Sequence, residues 1–252
     1  GLDGSKQPQD LGINANIGPR FSVSWTVPVS PRLGLGVRLG AAANASDAAV
    51  NVLEQIDGTS RRFQLFSTVG LYQTKGRLSW AAGYDGLRQD YFDETWMAQL
   101  RGELEVAVGR NDQMGVRFTA PLRGANAAIG DVSLCLEPIA QVSAVARHSW
   151  PSGAVTGIWV GVAEGHHNVV LVFPGNSRDT HVVVYGAELS MPLNDRWSVT
   201  GATNLMTPAA TGAVDAFMGV TVRLGAHRRR SPFGAMLNVA NNTTFAVDLA
   251  RK

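Results

Sequence analysis

The chain has 252 residues, a formal net charge of +2, 17% charged and 45% hydrophobic residues, 28 glycines and one cysteine. That composition excludes a disulfide-stapled secreted scaffold, gives little support to nucleic-acid binding, and offers no run near the roughly 20 apolar residues a membrane-spanning helix needs. No linker or shift in composition divides the sequence, so it reads as one domain. No secretory leader is evident at Gly1, which fits either a processed chain or one never exported.

Along the chain, tight-turn signals recur at Ser30-Pro31, Lys75-Gly76, Asn111-Asp112, Pro151-Ser152-Gly153, Asn194-Asp195 and near Ser231-Pro232. The spacing is about 40 residues, which suits one long hairpin per unit. Six hairpins predict an all-β, closed up-and-down antiparallel β-barrel of about 12 strands. Residues 1–12 are expected as an N-terminal extension, 13–247 as the barrel and 248–252 as a tail. The intervening long loops fall near 44–60, 88–95 and 164–179.

Two-faced alternation supports the strands. Leu78, Trp80, Ala82 and Tyr84 oppose Arg77, Ser79, Gly83 and Asp85. From Thr95 to Val108, Trp96, Leu100, Leu104 and Val106 alternate with Gln99, Arg101, Glu103 and Glu105. After Asn111-Asp112, Met114, Val116 and Phe118 alternate with Gly115, Arg117 and Thr119, and later Val214, Met218 and Val220 oppose Asp215, Thr221 and Arg223. Apolar faces of paired strands coincide only if paired numbers sum to an even value, so the loops at Asn111-Asp112 and Asn194-Asp195 must contain an odd number of residues.

A soluble sandwich would show the same alternation. Small residues on the polar faces and aromatics near strand ends tilt the reading toward a membrane barrel: Trp25, Tyr91, Phe92, Trp96, Trp150 and Trp197 are expected at the membrane interfaces. Gln99, Arg101, Glu103, Glu105 and Arg117, with Glu188 and Arg223, are expected to line the lumen. They would form either a charged constriction that selects ions or a salt-bridged filling that makes buried charge tolerable.

Other chemistry is thinner. Asp90, Asp93 and Glu94 concentrate carboxylates without a calcium-loop pattern, and adjacent His166-His167 make a poor chelate on an extended chain. Ser143 and His148 lack a nucleophile motif. Cys135, between Leu134 and Leu136, reads as a small buried hydrophobe. His227-Arg228-Arg229-Arg230 could hold lipid phosphate or an acidic wall polymer, although a solvated turn is the commoner origin of such a run. Asn44-Ala45-Ser46 and Asn242-Thr243-Thr244 match the short glycosylation pattern.

The segments Asp10-Leu11-Gly12-Ile13-Asn14-Ala15-Asn16-Ile17-Gly18, Leu33-Gly34-Leu35-Gly36-Val37, Tyr84-Asp85-Gly86-Leu87-Arg88-Gln89-Asp90-Tyr91-Phe92-Asp93, Gln99-Leu100-Arg101-Gly102-Glu103 and Val239-Ala240-Asn241-Asn242-Thr243-Thr244-Phe245 resemble the predicted outer-membrane β-barrels of planctomycete-type bacteria. The resemblance covers most of the chain and implies fold and location, with no settled activity and no catalytic residues. Two departures stand out: the chain closes on Asp248-Leu249-Ala250-Arg251-Lys252 without a terminal aromatic, and a first strand running into Ser30-Pro31 places the N-terminus with the long loops.

These readings converge on a non-enzymatic outer-membrane barrel, a small pore or structural surface protein, with no cofactor and no metal. Its expected partner is outer-membrane lipid, with an envelope polymer or surface protein as a further possibility. The alternatives are a cell-surface binding or assembly protein and, behind it, an outer-membrane hydrolase.

Overall fold

The computed structural model describes residues 1–10, 15–50, 61–91, 93–129, 132–164, 181–207, 213–224 and 236–251. Among them, twelve antiparallel strands close a barrel: β1 (Leu2–Lys6), β2 (Ala15–Ser30), β3 (Leu35–Val50), β4 (Arg61–Lys75), β5 (Leu78–Asp90), β6 (Glu94–Ala107), β7 (Asp112–Arg123), β10 (Gln141–Ser149), β11 (Val155–Glu164), β12 (His181–Pro192), β13 (Trp197–Thr207) and β14 (Val214–Val222). Three shorter strands, β8 (Ala125–Ile129), β9 (Val132–Pro138) and β15 (Val247–Arg251), form a separate sheet in the order β15-β9-β8. Closure leaves the wall no free edge.

The expected register is realised. Val106 faces Met114 and Leu104 faces Val116, while the Val108 amide donates to the Asp112 carbonyl at 3.0 Å, leaving Gly109, Arg110 and Asn111 as a three-residue loop. Met191 faces Val199, and Leu193 donates to Trp197 around the second three-residue loop. There the Asn194 side chain accepts from the amides of Arg196 and Trp197, which is why asparagine suits this position. Five of the six expected tight turns sit at one end of the barrel; Ser231-Pro232 lies outside the described residues.

The wall's two faces differ sharply. Phe21, Leu65, Leu104, Phe118, Ile158 and Val160 stand exposed on the outside, whereas Gln64, Asp85, Gln99, Asn204 and Asp215 are fully buried inside. Such inversion of the usual soluble pattern requires an apolar surrounding for the outer face.

Two sequence boundaries shift. Leu2–Lys6, expected in an extension, is the strand that closes the barrel, pairing Leu2 with Met218 on one side and Pro19 on the other. One large apolar side chain in five residues gave it no visible alternation. Gly1 lies part-way along the wall beside Arg20 of β2, and β1 runs from there toward the long-loop end. At the other terminus, residues expected as a tail belong to β15, which pairs with β9, Leu249 opposite Leu136.

Residues 124–138 and 236–251 explain the inner sheet. Between β7 and β10, which pair directly in the wall, the chain folds the β8-β9 hairpin inward from the long-loop end. β15 adds to it. Ala127, Leu134, Leu136, Val247 and Leu249 then pack on Phe66, Leu87 and Met97 of the wall, with Phe245 between them. Thus apolar clusters share the lumen with its polar groups, and the sheet forms a lid over that mouth.

Candidate functional site in the barrel lumen

After β14 ends at the short-turn end, residues 236–245 run through the lumen toward the lid. Lumen side chains aim donors at the backbone of this segment. Arg38 donates to the carbonyls of Met236 at 2.8 Å and Leu237 at 3.3 Å, Arg101 to Asn238 at 2.5 Å and Arg20 to Ala240 at 3.0 Å. Farther along, Gln99 donates to Thr244 at 2.8 Å and Gln7 to Phe245 at 3.2 Å, while the Ala240 amide donates to the Thr68 hydroxyl at 2.9 Å. Asn242 is held on three sides, donating to Asp3 at 2.5 Å and exchanging hydrogen bonds with Gln64. Backbone buried in a polar channel and outside any sheet needs such partners for its carbonyls and amides.

The wall is also shaped for it. A Cβ on Gly40 would lie 2.3 Å from a Val239 methyl, and one on Gly70 would lie 2.2 Å from a Leu237 methyl. Glycine at these two places lets the segment approach the sheet closely. Leu237 itself takes a left-handed conformation, φ 57°, which costs a non-glycine residue about 1–2 kcal/mol and is sustained by the two Arg38 contacts.

A charge cluster lies nearer the short turns. Arg147 of β10 reaches Glu103 at 2.6 Å, Glu188 at 2.5 Å and also Glu105, so one guanidinium serves three carboxylates. Arg117 stacks 3.5 Å over the Trp159 ring, whose indole nitrogen donates to Asn204 at 2.9 Å. Arg101 pairs with Asp85 at 2.9 Å, and Thr68 donates to the same carboxylate at 2.7 Å.

Gln99, Arg101, Glu103, Glu105, Arg117 and Glu188 therefore all point inward. They do not converge on one ring: Gln99 and Arg101 hold the threaded segment, and the rest belong to the Arg147 cluster. Arg223 lies beyond β14, exposed at the short-turn rim, because the wall has ended before it. Arg147, which organises the cluster, was missed; its signal was the alternation of Gln141, Ser143, Val145 and Arg147 on the buried face of β10.

Among the aromatics, Trp25, Trp96, Trp150 and Trp197 are exposed on the outer wall, Trp150 and Trp197 at the short-turn end and Trp96 toward the long loops. Tyr91 is a correction. It is only 5% exposed and lies under the Arg62 guanidinium, just past the end of β5. Phe92, His166-His167 and His227 to Arg230 lie outside the described residues.

The minor candidates separate. Ser143 is buried inward while His148 faces outward and bonds Asp112 at 2.7 Å, so the two fall on opposite sides of β10. Asp93 accepts from the Ala128 amide at 2.7 Å and Glu94 pairs with Arg88 at 2.8 Å. Asn44 and Asn242 are buried in the lumen, beyond reach of a glycosylating enzyme. Cys135 is half-exposed, because the buried face of β9 belongs to Leu134 and Leu136.

Fold and site together define a closed, twelve-stranded antiparallel β-barrel whose lumen is occupied by its own chain. The chain belongs to the family of unknown function DUF6666, whose model matches residues 1–247. No curated protein matches the sequence. Among solved structures, a chain from a study of the in-meso crystallization of membrane proteins is 7% identical, with a TM-score of 0.53 over 99% of this chain and 98% of that one. The KdgM porin (9% identity, TM-score 0.49, 89% of this chain and 98% of that one) and the NanC porin (8%, 0.49, 88% and 98%) are also similar.

Proposed function

We propose that this protein is a non-enzymatic outer-membrane barrel that acts as a closed surface protein, its outer wall solvated by lipid and its lumen held shut by its C-terminal segment. The observation that carries the reading is the pairing of an exposed apolar outer wall with a filled polar interior. An open pore would leave its lumen side chains hydrated; here Gln64, Asp85, Gln99 and Asp215 are fully buried. The charged residues satisfy one another and the threaded backbone, which favours the filled-lumen alternative over an ion-selecting constriction.

The reading is tested on the outer wall. Val160, in the middle of β11, is 58% exposed. Val160→Arg is expected to destabilise the detergent- or bilayer-embedded barrel by about 2–4 kcal/mol, the cost of a guanidinium near a bilayer midplane. Denaturant titration followed by circular dichroism would measure it. In a protein dissolved in water the same change at an exposed site would be close to neutral. A wild-type monomer freely soluble without detergent, together with an indifferent Val160→Arg, would overturn the membrane assignment.

A further inference from the structure

Gly1 lies part-way along the wall, its amino group donating to the Arg20 carbonyl and its carbonyl accepting from the Arg20 amide, both at 2.8 Å. The last wall strand, β14, returns the chain to the short-turn end at Val222, which pairs with Trp197. The chain would stay on that side if nothing more crossed. Yet Met236 and Leu237 lie beside Ala81 and Tyr72, close to the short turns, Ala240 lies at Thr68, Asn242 lies at Gln64, and β15 lies in the lid among the long loops. The segment passes the whole lumen.

We propose that the lumen is a conduit that carries the chain's own C-terminal segment across the membrane, so that β15 and the outer face of the lid are displayed on the side opposite the short turns. The passage is fitted to a polypeptide. Donors from Arg38, Arg101, Arg20, Gln99 and Gln7 read backbone carbonyls at successive depths, and Gly40 and Gly70 clear the wall where Val239 and Leu237 pass. At the far end the segment does not stop in the channel; it adds a strand to the β8-β9 hairpin, whose Asn126, Ser133 and Glu137 face solvent. A further pass thus carries the chain from the short-turn end to the long-loop end, and the barrel serves as a display frame for what it threads.

The inference rests on the membrane reading, so the experiment separates the two. In full-length protein in intact cells, with Cys135→Ser as background, Ser133→Cys on the lid and Arg110→Cys in a short turn are each treated with a membrane-impermeant maleimide. An epitope placed directly after Lys252 is probed in parallel with antibody. Permeabilised cells give total labelling. One of the two cysteines should react in intact cells and the other only after permeabilisation, with the epitope behaving as Ser133→Cys does. If the cysteines divide in this way but the epitope follows Arg110→Cys, the crossing is wrong and the membrane barrel stands. If both cysteines react in intact cells, or neither does, the membrane reading itself fails.

Discussion

Replacing Arg147 with alanine is expected to lower barrel stability by about 3–5 kcal/mol, because it strands Glu103, Glu105 and Glu188 together in a buried site. No other described cation bonds these carboxylates. Arg117 lies near them but is stacked on Trp159. The loss should appear as a lower midpoint in denaturant or heat, read by the mobility shift of folded barrel on unheated gels. Arg147→Lys should recover only part of it, since an ammonium cannot fork toward three carboxylates as a guanidinium does. An Arg147→Ala barrel as stable as wild type would remove the cluster from the account.

Phe245→Ala is the second large effect, expected at about 3–5 kcal/mol for a fully buried aromatic. The Phe245 ring meets Phe66 edge-on with centroids 6.2 Å apart and lies among Leu87, Met97, Leu134 and Leu249. Its loss acts on the lid and threaded segment more than on the wall, whose strand pairs it does not touch. Planar-bilayer recordings should therefore show wild type silent and Phe245→Ala flickering into conducting states as the segment loosens. Wild-type protein that conducts steadily would contradict a filled lumen.

The wall was legible in the sequence because each of its residues reports on one of two environments, lipid or lumen, at period two. Strands β6 and β7 show this best: Trp96, Leu100, Leu104 and Val106 meet the outside while Gln99 and Glu105 are buried, and the register followed from parity alone. The threaded segment was not legible. Val239 to Phe245 lies against side chains more than 130 positions away, including Gln64, Thr68 and Gln99, and its own sequence has neither period two nor helical spacing. Phe66, Leu87 and Met97 were one trace of it. These are apolar side chains on the inward face, where the pattern calls for polar ones, and they make sense only once the lid is seen against them. Likewise Leu2–Lys6 gains its place from partners on both edges and not from its own composition.

The central claim is that residues after 235 occupy the lumen, and a disulfide tests it at one point. The Cβ position of Gly40 lies 3.4 Å from the Val239 Cβ, close to the roughly 3.8 Å that disulfides span. In a Cys135→Ser background, Gly40→Cys/Val239→Cys should cross-link on mild oxidation of the folded, full-length barrel. Proteolysis followed by mass spectrometry should then recover a peptide containing residue 40 joined to one containing residue 239. The bridged protein should resist denaturation more than its reduced form. Two free thiols in a folded barrel, both reacting with maleimide under the same oxidising conditions, would show that the segment lies elsewhere.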